Sequence, residues 1–158
     1  MKQIAKRGAA LLAAGVVVAC GLTMSTPASA GTTTTTCSTT GPIQALSVRA
    51  CVDVTDGYVR VYGTVGSVGI SEPPVNPRSI GAEVSGSIVG GAFLGSGSQA
   101  LSIWNNSFTV EGTTATVASG STVRATVQIT PGPSGPGGGG GGMLPGPTSV
   151  SVDVPVVY

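Results

Sequence analysis

Strict two-residue alternation constrains this chain more than any other feature. From Ser47 to Thr55, Val48, Ala50, Val52 and Val54 take one set of positions, and Arg49, Cys51 and Asp53 the other. Successive strand side chains point to opposite faces, so this pattern reads as a half-buried strand. Asp56-Gly57 follows, and Tyr58 to Val65 resumes with Val59, Val61 and Val65 in step. Two alternating runs joined by Asp-Gly predict a β-hairpin with a two-residue turn. That turn fixes the register: Thr55 faces Tyr58, Val54 faces Val59, Asp53 faces Arg60, Val52 faces Val61 and Cys51 faces Tyr62. Apolar pairs then share one face, and an opposite-charge pair lies on the other.

The same period recurs downstream. Ile80–Val89 alternates through Ala82, Val84 and Ile88. Gly90-Gly91 and Gly95–Gly97 read as turns around Ala92-Phe93-Leu94, with another short strand at Ala100–Trp104. Phe108–Glu111 and Ala115–Ala118 read as a hairpin around Gly112-Thr113. Thr122–Thr130 places Val123, Ala125, Val127 and Ile129 inward, and Ser149–Tyr158 reads as a last strand whose Pro155 belongs near an edge. Gly66–Ser79, with three prolines, reads as a loop. Residues 131–147 are a flexible insert, since 14 of those 17 positions are Pro or Gly. No segment after residue 30 has a helical apolar period. The expected fold class is therefore all-β: an antiparallel β-sandwich of about seven or eight short strands, immunoglobulin-like or Greek-key, with the Gly/Pro-rich loop before the last strand. Residues 43–158 form one domain, preceded at 31–42 by an extended Thr-rich lead-in.

Residues 1–30 have a different logic. Lys2, Lys6 and Arg7 precede an apolar stretch from Gly8 to Leu22, and Ala28-Ser29-Ala30 closes the segment. A basic start, an apolar middle and a small-x-small end are the parts of a cleavable secretory signal. The apolar stretch is shorter than the ~18–20 residues a membrane-spanning helix needs. The expected protein is thus secreted, with no membrane span in the mature chain. Val17-Val18-Ala19-Cys20 fits a loose lipobox, so a membrane-anchored lipoprotein lipidated at Cys20 is the alternative. This signal style, with its Ala, Gly, Thr and Val bias, resembles small exported proteins of high-GC Gram-positive bacteria.

Cleavage changes two counts. Of the three cysteines, Cys37 and Cys51 remain, and an even pair in an oxidising compartment predicts a disulfide. Four arginines then face six carboxylates, a formal −2 in place of the +1 of the whole chain. Such a domain lacks the basic footprint of a nucleic-acid binder.

The residue types also limit the chemistry. The chain has no histidine, and its only lysines are Lys2 and Lys6. That removes the usual base for a serine or cysteine nucleophile and the usual nitrogen ligand for a metal. No cofactor, metal or catalytic residue is assigned. Asp53-x-x-Asp56-Gly57 lacks the oxygen density of a calcium loop, and the hairpin accounts for both aspartates. A glycosidase needs two carboxylates facing across a cleft, which nothing in the spacing suggests. Asn105-Asn106-Ser107 matches a glycosylation pattern by chance. Two features carry the binding expectation. Tyr58, Arg60 and Tyr62 share the face opposite Val59 and Val61, where flat side chains stack on sugars or anchor proteins; their structural alternative is to cover the disulfide. Trp104 is the second, with a place in the core as its alternative. The expectation is a noncatalytic exported protein acting through its surface in adhesion, cell-wall association or protein interaction. A cell-wall polymer or another exported protein is its partner. A small-ligand carrier with a cleft beside the Gly-rich loop is the runner-up.

Overall fold

The computed structural model describes residues 31–43, 45–68, 77–132 and 148–158. Residues 1–30, where the export signal is expected, and nearly all of the insert, including Met143-Leu144, lie outside the described residues. So does Glu72-Pro73-Pro74 of the loop before Ser79. Residues 31–158 form a compact unit of their own.

The described residues are antiparallel β throughout, with nine strands: β1 (Thr34–Cys37), β2 (Gly41–Ile43), β3 (Leu46–Thr55), β4 (Tyr58–Ser67), β5 (Arg78–Ile88), β6 (Phe93–Ile103), β7 (Ser107–Thr116), β8 (Thr122–Pro131) and β9 (Ser149–Pro155). They form two sheets packed face to face. The first has the order β1-β3-β4-β7, with β2 pairing a different stretch of β3 from β1. The second has the order β6-β5-β8-β9. The core lies between them and is built from the alternating positions: Val48, Val52, Val59, Val61 and Val65 from one sheet, and Val84, Val123, Val127 and Ile129 from the other.

The β3–β4 hairpin has the register that the Asp-Gly turn dictates, from Thr55↔Tyr58 through Cys51↔Tyr62 and onward to Leu46↔Ser67. Asp56 and Gly57 have φ of 47° and 79°. Two positive φ values in a two-residue loop define a type I′ turn, whose twist matches the flanking strands. The Cys37–Cys51 disulfide is present, between directly opposed residues of β1 and β3. β8 has its Val123, Ala125, Val127 and Ile129 fully buried, as the alternation requires. β9 is an edge strand that ends at Pro155.

Four expectations need correction. The 31–42 segment is extended, but it is more than a lead-in, because β1 and β2 are hydrogen-bonded into the first sheet. Together with β6 and β7 below, this gives nine strands where about seven or eight were expected. Ala92-Phe93-Leu94 and Ala100–Trp104 are not separate pieces, since β6 runs from Phe93 to Ile103 through Gly95 and Gly97. Those glycines mark close approach, not a turn. A Cβ on Gly97 would overlap the Glu111 carbonyl oxygen and lie 3.1 Å from the Gly112 carbonyl oxygen, so β6 and β7 press together and close that side of the structure. Phe108–Glu111 and Ala115–Ala118 are likewise not a hairpin. β7 runs from Ser107 to Thr116, and its pairing with β4 slips by one residue at Gly112, where Val61 faces Thr113 and Tyr62 faces Glu111. This is a β-bulge: one extra residue changes the phase of the alternation without ending the strand.

Two stability outcomes follow. Gly97→Ala forces backbone apart at the β6–β7 contact and lowers unfolding free energy by about 1–3 kcal/mol, read from the urea midpoint. Removing the disulfide with Cys37→Ala and Cys51→Ala costs about 3 kcal/mol for a loop of this size in the chain-entropy model. The pair of cysteines is 14 residues apart, and denaturation of the oxidised, reduced and double-alanine chains gives the difference.

Candidate functional site

Tyr58, Arg60 and Tyr62 stand together on the outer face of the first sheet, because β4 places alternate residues there. Their neighbours come from three other strands. Arg60 donates from Nε to Glu111 Oε2 at 2.9 Å, and its Nη2 pairs with the other Glu111 oxygen. Its Nη1 reaches Asp53 Oδ2 at 3.5 Å. Thr35 donates to Asp53 Oδ1 at 2.7 Å, and the Tyr62 hydroxyl donates to the same oxygen at 3.3 Å. The Arg60 guanidinium carbon lies 4.7 Å from the Tyr62 ring centroid, a cation–π contact. One connected network therefore runs over β1, β3, β4 and β7.

The electrostatics follow from that geometry. The hydrogen bonds that Arg60 donates to Glu111 push the Arg60 pKa up, with the charges of Glu111 and Asp53 acting in the same direction. Partial burial, then the Asp53 carboxylate, pushes the Tyr62 phenol up. Arg60 is charge-matched by two carboxylates, and one face of Tyr62 is covered by a guanidinium. Cys51, on the same face and directly opposite Tyr62, is 2% exposed. Tyr58 is the open member, at 51% exposure.

Trp104 is separate from these three. It follows β6 in the turn that enters β7, and its amide donates to Asn106 Oδ1 at 2.9 Å. It is 47% exposed and so is not a core residue. Ser107 pairs with Gly66 at the far end of β4 from Tyr58. At about 3.3 Å per residue, this puts roughly 26 Å of strand between the two ends. Trp104 and the tyrosines thus serve different surfaces.

The outer face of the second sheet was not singled out from the sequence. Its register lines up Ser96, Ser85, Thr126 and Ser151 as one row across four strands. The row on one side is Ser98, Glu83, Gln128 and Ser149. On the other side lie Phe93, Ser87, Arg124 and Asp153. Arg124 donates to both Asp153 oxygens, at 2.7 and 2.6 Å, which neutralises that corner. Phe93, at the other end of that row on the edge strand β6, is 67% exposed. Seven of these twelve positions carry small hydroxyls, interspersed with Glu83, Gln128 and the Arg124–Asp153 pair, and one bare aromatic ring stands at the margin. Serines and threonines at outward positions were visible in the sequence, but the strand neighbours that align them were not.

A groove of ≈ 430 Å³ lies between the free edges of β1 and β9, lined by Thr34, Thr36, Val54, Asp56, Val154 and Tyr158 among others. It is at the Asp56–Gly57 end, whereas Gly132, early in the insert, and Thr148, which follows it, adjoin the opposite ends of β8 and β9. The cleft expected beside the Gly-rich loop falls largely outside the described residues. No group of three or more His, Cys, Asp or Glu side chains that could hold a metal occurs among the described residues.

Comparisons of the chain with protein-family models, with curated proteins and with solved structures find no match.

The Arg124–Asp153 pair has a pH signature. Hydrogen bonds from Arg124 hold the Asp153 carboxyl below the ordinary carboxylate range. A depressed folded-state pKa contributes stability that is present above the unfolded value and is lost as pH falls through the folded one. Stability of the native chain therefore falls more steeply between about pH 4 and pH 2 than that of Asp153→Asn. Urea midpoints across that range check it, and equal slopes would contradict it.

Proposed function

We propose that this is an exported, noncatalytic protein whose outer sheet surface binds a neutral, hydroxyl-rich polymer of the cell wall. The observation that carries the reading is the outer face of the second sheet. The Ser96–Ser85–Thr126–Ser151 row spans about 14 Å, three strand spacings of about 4.8 Å, and each of its hydroxyls can donate and accept. Glycan hydroxyls have the same dual character. Phe93 supplies an apolar face of the kind on which the C–H side of a sugar ring packs, and the self-neutralised Arg124–Asp153 pair stands at the other end of its row. The face offers a polyanion no uncompensated cation among its described residues. Export is supported by the basic-apolar-small order of residues 1–30 and by the Cys37–Cys51 disulfide. The first sheet favours this division of labour, because its Arg60 and Tyr62 are occupied by one another and by Asp53 and Glu111.

The immunoglobulin-like Greek key is part of the same proposal. The orders β3-β4-β7 and β6-β5-β8-β9 correspond to strands A-B-E and C′-C-F-G of that fold, with β1 and β2 added outside A.

Sedimentation of the purified protein with insoluble wall polymer tests the function. The native chain is retained and is released by soluble glycan of the same composition. Phe93→Ala weakens retention about five- to tenfold, the equivalent of about 1–1.4 kcal/mol. Thr126→Lys, which raises a long cation from the middle of the hydroxyl row, weakens it at least as much. Tyr58→Ala leaves it unchanged. Retention that ignores Phe93 and Thr126 but falls with Tyr58 would move the surface to the first sheet, and no retention at all would remove the polymer.

A further inference from the structure

The corner where β1 begins holds an arrangement that the two sheets do not explain. β1 pairs with β3 through Thr34↔Val54, and the Thr33 and Thr55 hydroxyls meet at 2.7 Å beyond that pair. This register carries the chain back to the β3–β4 turn, so that Gly31 meets Asp56. A Cβ on Gly31 would overlap the Asp56 carboxylate, lying 2.7 Å from Cγ and 3.1 Å from Oδ1, and the three atoms nearest that position all belong to Asp56. The α-nitrogen of Gly31 shares the same Cα, which places it within about 5 Å of the carboxylate. Among the described residues no hydrogen bond or ion pair engages the Asp56 carboxylate. The nearby Tyr158 hydroxyl is committed elsewhere: it donates to the Val117 carbonyl at 3.3 Å and accepts from the Ser119 amide at 3.2 Å. A lone carboxylate thus rests on a glycine that has no side chain to push it away.

The sequence gives that glycine a special position. Ala28-Ser29-Ala30 is the small-x-small end of the export signal, and the compact unit begins at the next residue, Gly31.

We propose that removal of residues 1–30 completes this corner: the α-ammonium freed on Gly31 forms an ion pair with the Asp56 carboxylate and ties the start of β1 to the β3–β4 turn. The inference rests on residues 1–30 being a cleaved export signal. In that step a signal peptidase adds water across the Ala30–Gly31 amide. Ala30 leaves as a carboxylate, and the Gly31 nitrogen gains protons to become an ammonium. Before cleavage the same nitrogen is a neutral amide, so the pair exists only in the processed chain. An opposite charge within about 4–6 Å favours the ionised form of an amine. The pair also closes the Asp56 end of the groove between β1 and β9 with a charge-matched contact. Processing would then do more than release the domain, since it would fasten the edge strand that the Cys37–Cys51 disulfide holds at its other end.

The test has two arms. Intact mass of the exported protein reads the first residue: a chain starting at Gly31 is expected, and any other start overturns the processing on which the inference rests. The second arm uses a chain produced to begin at Gly31, which makes the pair testable whatever that mass shows. Titration of the Gly31 α-carbon by NMR gives the midpoint of its amine. In the native chain it lies about 0.2–0.7 pH units above that in Asp56→Asn, as a solvent-exposed ion pair provides. Added salt narrows the gap. Asparagine keeps the turn, because Asn-Gly is a favoured type I′ pair, so the variant folds. Equal midpoints in the two proteins would overturn the pair.

Discussion

Burial of small β-branched side chains between the two sheets is the interaction on which everything else here depends. None of the buried core residues among those described is aromatic; the interior between the sheets is Val, Ile, Leu and Ala. Each buried valine contributes roughly 1.5–3 kcal/mol relative to exposure, and stiff β-branched side chains lose little rotamer freedom on ordering. Small side chains also let the backbones come close. Gly63 shows how close: a Cβ there would lie 2.5 Å from Val127 and 3.0 Å from Val84 of the opposite sheet. The tight interior leaves Tyr58, Phe93 and Trp104 exposed, while Phe108 packs partly buried against its margin.

The outside is divided as sharply as the inside is uniform. One outer face spends its long side chains on one another, in the Thr35, Asp53, Arg60, Tyr62 and Glu111 network. Exposed pairs of this kind add little stability individually, but this one spans β1, β3, β4 and β7 and favours a single lateral order for them. The other face carries mostly short hydroxyls, with the Arg124–Asp153 ion pair at a margin. The two sheets share a core and differ in what they offer to solvent.

What was legible in the sequence follows the same division. The β3–β4 hairpin was readable in full, because turn chemistry and apolar alternation independently demand one register. β8 was readable because its alternation is unbroken. β6 and β7 are not legible from local pattern because glycine carries two meanings: it ends strands at turns, and it allows backbone contact within them. Gly97 and Gly112 have the second meaning, and only the neighbouring strand reveals it. β1 lacks a strand signature because an edge strand beside an open groove needs no apolar stripe, and its inward residues are threonines. The candidate residues fared similarly. Alternation put Tyr58, Arg60 and Tyr62 on one face, and the hairpin supplied Asp53. Glu111, which completes the network, comes from a strand whose adjacency to β4 no local pattern encodes.

The bulge at Gly112 has a consequence for how this chain tolerates change in length. On one side of it Val110 points inward and Ser107, Thr109 and Glu111 outward; on the other, Ala115 and Val117 point inward and Thr114 and Thr116 outward. The two halves of β7 are out of step, and the extra residue reconciles them. Gly112 therefore acts like a frame-shift suppressor in the pleat. Losing that single residue would be a phase error in place of a local one: one half of the strand would have to turn its threonines into the valine interior and its valine to water, and Glu111 would leave Arg60. In this β7, counting matters more than chemistry.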